Sequence, residues 1–488
     1  VTEQISIETL RPTMRMLSDE QIRAIHHTSM DILSRTGIVM KNEAARRLLL
    51  DAGAWESEDP SASSGQRRIK IPEYLVMDAI ASAPSRIPMH NRLGELTMPL
   101  ETGKVFFGPG SDCIFTLDLE TGERRKATAE DVRRIAHLCD GLDQMDFIMS
   151  MGNPSDAPPL DIYIHEFISM VRGSVKPIVY TANNRKDMED IYRIACAVVG
   201  GEAELRERPF LMLYAESVSP LLYPDESVDK LLFCAEKGIP VTYPPSPNTG
   251  GGGPVTLAGA LTLGNAECLV GLVLTQLVRR GTPFLYGMNT AALDMKSAIV
   301  SYGAPEWPTG MAACCDIGRY YDLPTWGAAG ATDSKVVDAQ AGIEASISVM
   351  TAFLTRCNLV HDVGYIEYGT TSSMEMLVVA DEIIRDVRFI MDGVEVSERT
   401  LARQAIHQAK PGGGFLANDH TLQNWRWAQW RPELMDRMHY GRWSNKGGKD
   451  MTARANEQAR HVLGEHEVSP LAEAVEETIT EVLKKRET

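Results

Sequence analysis

From about residue 105 onward, short apolar runs alternate with amphipathic segments in a regular order. The runs are VFFGPG near 105, FIMSMGN near 147, PIVYTANN near 177, PFLMLYAES near 209, IPVTYPPSP near 239, PFLYGMN near 283, PTWGAAGATD near 324 and NLVHDVGY near 358. Each is β-favouring or small and apolar and stops at Gly, Asn, Pro or Ser, as a strand buried on both faces and its following loop do. Between them lie segments of helical period. In TAEDVRRIAHLCDGL, Thr128 and Asp131 predict an N-terminal cap, and in ESVDKLLFCAEKG the helix closes at Gly238. Successive runs begin roughly 30 to 44 residues apart, one strand and one helix each. Eight such units predict a (β/α)8 TIM barrel ahead of an open doubly wound sheet.

The barrel does not need the whole chain. Residues 1–100 predict a mainly helical segment packed on it: SDEQIRAIHHTSMDILSRTGI capped by Ser18, NEAARRLLLDAGA, a polar ESEDPSASSGQ loop, PEYLVMDAIASAP and a hairpin around MPLETGKVFF. Residues 101–373 are assigned to the barrel and 374–488 to a C-terminal helical extension. Within that extension Trp425, Trp427 and Trp430 stand close together, a density expected of a helix packed onto the body.

Composition narrows the partners. A formal charge of -17 without any basic block argues against nucleic acid or an anionic membrane as the main partner. Eight scattered cysteines without a C-x-x-C pair fit reduced thiols in a cytoplasmic enzyme and neither a disulfide framework nor structural zinc. The N-terminal residues show no basic start followed by an apolar block, so no secretory signal is expected in them. The apolar stretch Val255 to Val278 is nearly long enough to span a bilayer. It contains Asn265, Glu267 and Gln276, and reads better as a helix buried in a large protein. Its Gly259, Gly264 and Gly271 point to a close contact, expected at a homo-oligomer interface.

In such a barrel the reactive groups project from the C-terminal ends of the strands. The loops there offer Asn153, Asn183, Glu216, the glycine run from Asn248 to Pro254, Asn289, Asp333, and His361 with Asp362. Aromatic residues accompany them: Phe107, Tyr214, Tyr286, Trp326 and Tyr365. Rings with amides and a few carboxylates suit a soft cation that carries no donor hydrogens. His361 can move a proton or hold a ligand edge; a core histidine bonded to a carbonyl is the plain alternative. Asp333 is a helix cap or a substrate contact. The glycine run precedes a helix without a following Lys-Ser or Lys-Thr, so it is no nucleotide P-loop; it either cradles an anion or clears space for a large group.

Several stretches together resemble the trimethylamine methyltransferase family: HTSMDILSRTGIVMKNEAARRLLLDAGA, GPGSDCIFTLDLETGERRKATAEDVRRIAHLCDGL, PVTLAGALTLGNAECLVGLVLTQLVRRGTP, YGAPEWPTGMAACCDIGRYYDLPTWGAAGATDSKVVDAQAG and LVHDVGYIEYG. The resemblance implies a (β/α)8 barrel that moves a methyl group from an amine to the cobalt of a corrinoid (cobalamin) carried on a separate small protein, with no metal bound by the methyltransferase itself. Members that act on trimethylamine carry pyrrolysine. This chain has ordinary residues throughout the barrel, which points to the branch acting on quaternary amines such as glycine betaine. Carried over residue by residue, the resemblance covers His361 and Asp333 as catalytic candidates. Tyr365, Trp326, Tyr286, Tyr214, Asn289 and Phe107 are candidates for substrate binding, chosen by strand-end position. The expected partners are a small quaternary amine and a cognate corrinoid protein; a non-catalytic betaine-binding protein and a barrel hydrolase are the alternatives.

Overall fold

The structure is a computed structural model that describes residues 6–7, 9–58 and 67–486. All eight apolar runs lie in one closed parallel ring. In chain order its strands are β1 (Phe106–Pro109), β2 (146–148), β3 (Ile178–Tyr180), β4 (Leu211–Tyr214), β5 (Val241–Thr242), β6 (Phe284–Leu285), β7 (Trp326–Ala328) and β8 (Leu359–Val363). β2 is reduced to a bridge between Ile148 and Ile178, and β6 joins β7 through a bridge between Tyr286 and Thr325. β8 pairs with β1. The last gap closes where Asp146 N–H donates to the Phe107 carbonyl at 2.6 Å, while the Asp146 carboxylate accepts from Phe107 N–H at 2.8 Å.

The strands are short, and proline opens four of them. The carbonyls of Pro177, Pro240, Pro283 and Pro324 accept from Ile148, Leu213, Val241 and Tyr286 of the preceding strand. Proline has no N–H to give but keeps its acceptor, so the first position of a strand is where a sheet tolerates it.

Eight helices follow the strands: Ala129–Gly141, Ile162–Gly173, Arg185–Val199, Asp225–Lys237, Leu257–Val278, Glu306–Tyr320, Ala339–Thr355 and Met374–Met391. The last lies beyond the boundary expected at 373. It belongs to the ring because its apolar face packs on Ala339–Thr355 and Ala129–Gly141. Outside the ring, Asp19–Asp31 and Glu73–Ser82 pack on Leu257–Val278, and Met451–Glu465 packs on Met374–Met391. The segment before the barrel also carries two antiparallel hairpins, and Leu96–Leu100 pairs back onto Ile87–His90 instead of forward onto Phe106. Most of the polar stretch expected as a loop, 59–66, lies outside the described residues.

Leu257–Val278 is buried along most of its length. Asn265 accepts from the Tyr286 hydroxyl at 2.7 Å, Glu267 accepts from Leu221 N–H and from Ser219 Oγ at 2.6 Å each, and Gln276 donates to the Thr282 carbonyl at 2.8 Å. Each polar group has a partner, as a buried helix requires. Gly264 lies against Met288 and Pro247, and Gly271 against the Tyr243 ring. Gly264 and Gly271 thus admit the chain's own barrel, and Gly259, half-buried, lies against Pro254 and Thr256.

The tryptophan tract also departs from expectation. Helix Asp419–Ala428 has no buried residue. Its rings are covered instead by guanidinium groups, Arg399 over Trp427 at 4.0 Å and Arg431 over Trp425 at 4.9 Å.

Candidate active site at the C-terminal mouth of the barrel

Strand β8 sends its third residue, His361, into the barrel. The ring centroid lies 4.5 Å from Trp326 and 5.6 Å from Tyr214, and the latter two are 5.9 Å apart. Three rings from β4, β7 and β8 thus meet inside the mouth. Asp362 follows with φ +75°, a left-handed conformation that costs a non-glycine residue about 1–3 kcal/mol and tends to persist where the surroundings enforce it. Its Oδ1 lies 2.7 Å from His361 Nδ1. The approach is too oblique for a hydrogen bond, and both ring nitrogens of His361 are buried without a partner.

Carboxylates surround the rings. Glu216 accepts from the Tyr214 hydroxyl and, at 3.4 Å, from Ser246 Oγ. Burial pushes its carboxyl above the usual range, while Tyr214 and His361 pull it back. Asp112 ends the β1 turn with φ +59° and accepts from Ser111 Oγ at 2.7 Å. Glu166 comes from the helix after β2. Burial raises both of these carboxyls, and the charge of Asp112 raises Glu166 further. Lys230, donating to the Ala182 carbonyl at 2.5 Å, is the nearby cation; burial lowers it, and the charges of Asp112 and Asp187 oppose that.

Most of the buried side-chain N and O atoms that lack a hydrogen-bond partner among the described residues gather at this end of the molecule. Asp112 Oδ1, Glu166 Oε1 and the His361 nitrogens are joined by Trp326 Nε1, Ser217 Oγ, Asn248 Oδ1 and Thr290 Oγ1. Buried polar atoms are normally paired, so a concentration of unpaired ones marks a place built for something else.

Tyr365 belongs to the same cluster. Its hydroxyl donates to the Ser111 carbonyl, and its ring passes so close to Gly110 that a Cβ there would collide with it. Tyr302, which sequence reasoning did not single out, stands between Asp362 and Glu216, whose charges raise its phenol beyond the effect of burial.

Other expected residues are bonded or packed within the barrel wall and its loops. Asp333 accepts from Tyr302 N–H at 2.9 Å with one oxygen and from Ser301 Oγ with the other. It therefore anchors the hairpin Ala292–Asp294/Ile299–Ser301 in the loop after β6, with each oxygen accepting one bond. Asn289 accepts from Trp307 Nε1 at 3.1 Å and reaches the Tyr302 hydroxyl. Phe107 faces the helices, its ring 4.9 Å from Phe353. Tyr286 does the same, bonded to Asn265 and 5.6 Å from the Tyr321 ring. Register explains both. Tyr214 aligns with Thr242, and Thr242 with Leu285, so Tyr286 takes the opposite face; Phe107 aligns with Val360, one residue off His361.

Three of the four N–H groups of the glycine run close their own turn. The N–H groups of Gly251 and Gly253 both donate to the Asn248 carbonyl, and Gly250 N–H donates to Gly253. A group with metal-ligand spacing that sequence reasoning passed over, His26 with His27 and Glu73, lies on the helical flank, where His26 Nδ1 is 2.9 Å from the Tyr321 hydroxyl.

Glu216 is among the strand-end groups that the sequence offers, and Asp112, two residues beyond VFFGPG, is within reach of the same reasoning. Glu166 is not. It lies mid-helix, where nothing in the local pattern distinguishes it from a surface acid.

A family model described as trimethylamine methyltransferase (MTTB) matches residues 2–488. The chain is 32% identical over 470 residues to trimethylamine methyltransferase MttB of Desulfitobacterium hafniense (strain DSM 10664 / DCB-2), covering 96% of this chain and 93% of that protein. It is 31% identical over 439 residues to glycine betaine methyltransferase of Desulfitobacterium hafniense (strain Y51), covering 90% of each. It is also 31% identical to trimethylamine methyltransferase MttB of Methanosarcina thermophila over 466 residues, 94% of each. The crystal structure of the Methanosarcina barkeri monomethylamine methyltransferase (MtmB) aligns with a TM-score of 0.49 at 12% identity, over 94% of this chain and 96% of that one.

Proposed function

The chain belongs to the trimethylamine methyltransferase family, and from that premise we propose that it transfers a methyl group from a quaternary amine to the cobalt(I) of a corrinoid carried by a separate protein. The observation that carries the reading is the meeting of Trp326, Tyr214 and His361 inside a mouth walled by Glu216, Asp362 and Asp112. Ring faces attract a quaternary ammonium without needing a donor from it. Buried carboxylates supply the opposite charge that a desolvated cation requires.

The corrinoid, when docked, supplies the nucleophile. The residues present fit such a group: the His361 nitrogens and Trp326 Nε1, buried without a hydrogen-bond partner, would meet it, and holding the corrinoid would be left to its own carrier protein. In the transfer the C–N bond breaks, the electron pair leaves with nitrogen, and the amine departs neutral, so no proton need move at the donor. The work left to this chain is positioning. Trp326 and Tyr214 hold the cationic head with one N–CH3 bond directed outward, and Tyr365 and Tyr302 fill the remaining wall and exclude water. Ordinary residues throughout the barrel support a donor that already carries its positive charge. Eight free thiols, seven of them buried, support a cytoplasmic setting.

The test is direct. The purified chain is mixed with a reduced corrinoid protein and, separately, with tetramethylammonium, choline, glycine betaine and trimethylamine, and the absorbance change of corrinoid methylation is followed. A change with at least one quaternary amine is expected. A response to trimethylamine alone, or amine binding without any transfer, overturns the reading.

A further inference from the structure

We propose that the amine taken by this site carries no carboxylate: it is a small quaternary ammonium whose remaining substituent is alkyl or hydroxyalkyl, and a betaine is discriminated against. This rests on the quaternary-amine reading above and narrows it.

A betaine has two ends, and the site is built for one. Its carboxylate would need donors, and several of those in the surrounding loops are engaged. The amide of Asn289 is held between Trp307 and Tyr302. The N–H groups of Gly250, Gly251 and Gly253 close their own turn, and Asn183 N–H donates to Asp187 at 3.0 Å. Charge points the same way. Asp112, Glu216 and Asp362 face the mouth from β1, β4 and β8, with Glu166 behind Asp112. Against them stands Lys230, already tied to a carbonyl and placed between Asp112 and Asp187.

Three other cations of the neighbouring loops are engaged elsewhere. Arg124 pairs with Glu367 and covers Phe115, Arg185 pairs with Asp229 and Glu236, and Lys335 donates to the Asp333 carbonyl. Trp326 Nε1, His361 and the hydroxyls of Ser217 and Thr290 remain buried without a hydrogen-bond partner among the described residues, and Ser217 directly follows Glu216. A carboxylate placed on His361, or on Trp326 next to it, would stand near Asp362, which lies 2.7 Å from His361 Nδ1; like charges this close repel. The unpaired acceptors, Asp112 Oδ1 and Glu166 Oε1, call for a donor on the ligand, as a hydroxyl provides.

Calorimetric titration of the full chain with tetramethylammonium, choline, glycine betaine and the uncharged choline isostere 3,3-dimethylbutanol tests this. Choline or tetramethylammonium is expected to bind at least about tenfold tighter than glycine betaine, and the uncharged isostere more weakly than choline. Glu216→Gln, checked for folding by circular dichroism, is expected to narrow the gap between choline and betaine. Glycine betaine binding as tightly as choline in the wild-type chain overturns the inference and leaves the quaternary-amine reading standing. Should none of the quaternary amines bind while trimethylamine does, the reading itself falls.

Discussion

At the N-terminal end of the barrel Asn358, 4% exposed, accepts from Thr325 N–H at 2.8 Å and from Thr325 Oγ1 at 3.2 Å, and donates to the carbonyls of Glu101 and Lys104 at 2.7 and 2.9 Å. Three residues further along the chain the side chain of His361, a residue 5% exposed, makes no hydrogen bond. Both are buried polar residues of one strand segment, yet they stand in opposite conditions. The floor of the barrel ties polar side chains to backbone so that loops and strands close over one another. The mouth leaves buried polar atoms unpaired, which in a folded protein is an expense retained where a ligand returns the missing interaction.

That contrast breaks if a floor residue changes turnover or a mouth residue changes only stability. The largest effect is expected at the floor: Asn358→Ala should lower unfolding stability by about 3–4 kcal/mol, because four partners lose their bond at a buried position. Urea unfolding measures this, and turnover per folded molecule should stay at the wild-type value. Next, His361→Ala should slow methyl transfer by about 100-fold with the melting temperature nearly unchanged; wild-type kinetics would remove His361 from the site. Trp326→Ala should weaken quaternary-amine binding by about 1–2 kcal/mol, read by calorimetry, and an unaltered affinity would place the cation elsewhere. The smallest and sharpest pair is Tyr286→Phe against Tyr214→Phe. The first should cost about 1 kcal/mol of stability through the lost bond to Asn265 and leave KM alone; the second should shift KM about twofold to threefold through Glu216. Reversed outcomes would mean that the two faces of the barrel wall have been exchanged.

The same pair shows what could be read from the chain alone. PFLMLYAES and PFLYGMN look alike, and both are strands, because strand identity follows from composition and from the turn residues that end each run. Which face a tyrosine takes depends on the register between neighbours, a relation between strands that no single run contains. With strands of two to five residues, alternation is too brief to reveal an inside and an outside, so Phe107 and Tyr286 were assigned to the wrong side while Tyr214, Trp326 and His361 do reach the mouth. Asp333 follows its strand as expected, yet its partners Ser301 and Tyr302 come from another loop. Glu166 acquires its meaning only when its helix folds against the turn bearing Asp112. The density of the tryptophan tract suggests a helix packed onto the body; arginines spaced among the rings, visible in NWRWAQWRPELMDR, offer the other explanation, cation stacking at the surface.

The four prolines that open β3, β5, β6 and β7 work as stops against slippage. A strand displaced by one residue would turn every side chain to the other face, and in such brief strands few ladder bonds resist it. Sliding any of these four toward the mouth by one position would carry a nitrogen without hydrogen to where the neighbour needs a donor. The misaligned barrel is thereby penalised at four points around its circumference, and the inward aim of the aromatic residues at the mouth is secured from the opposite end of the molecule.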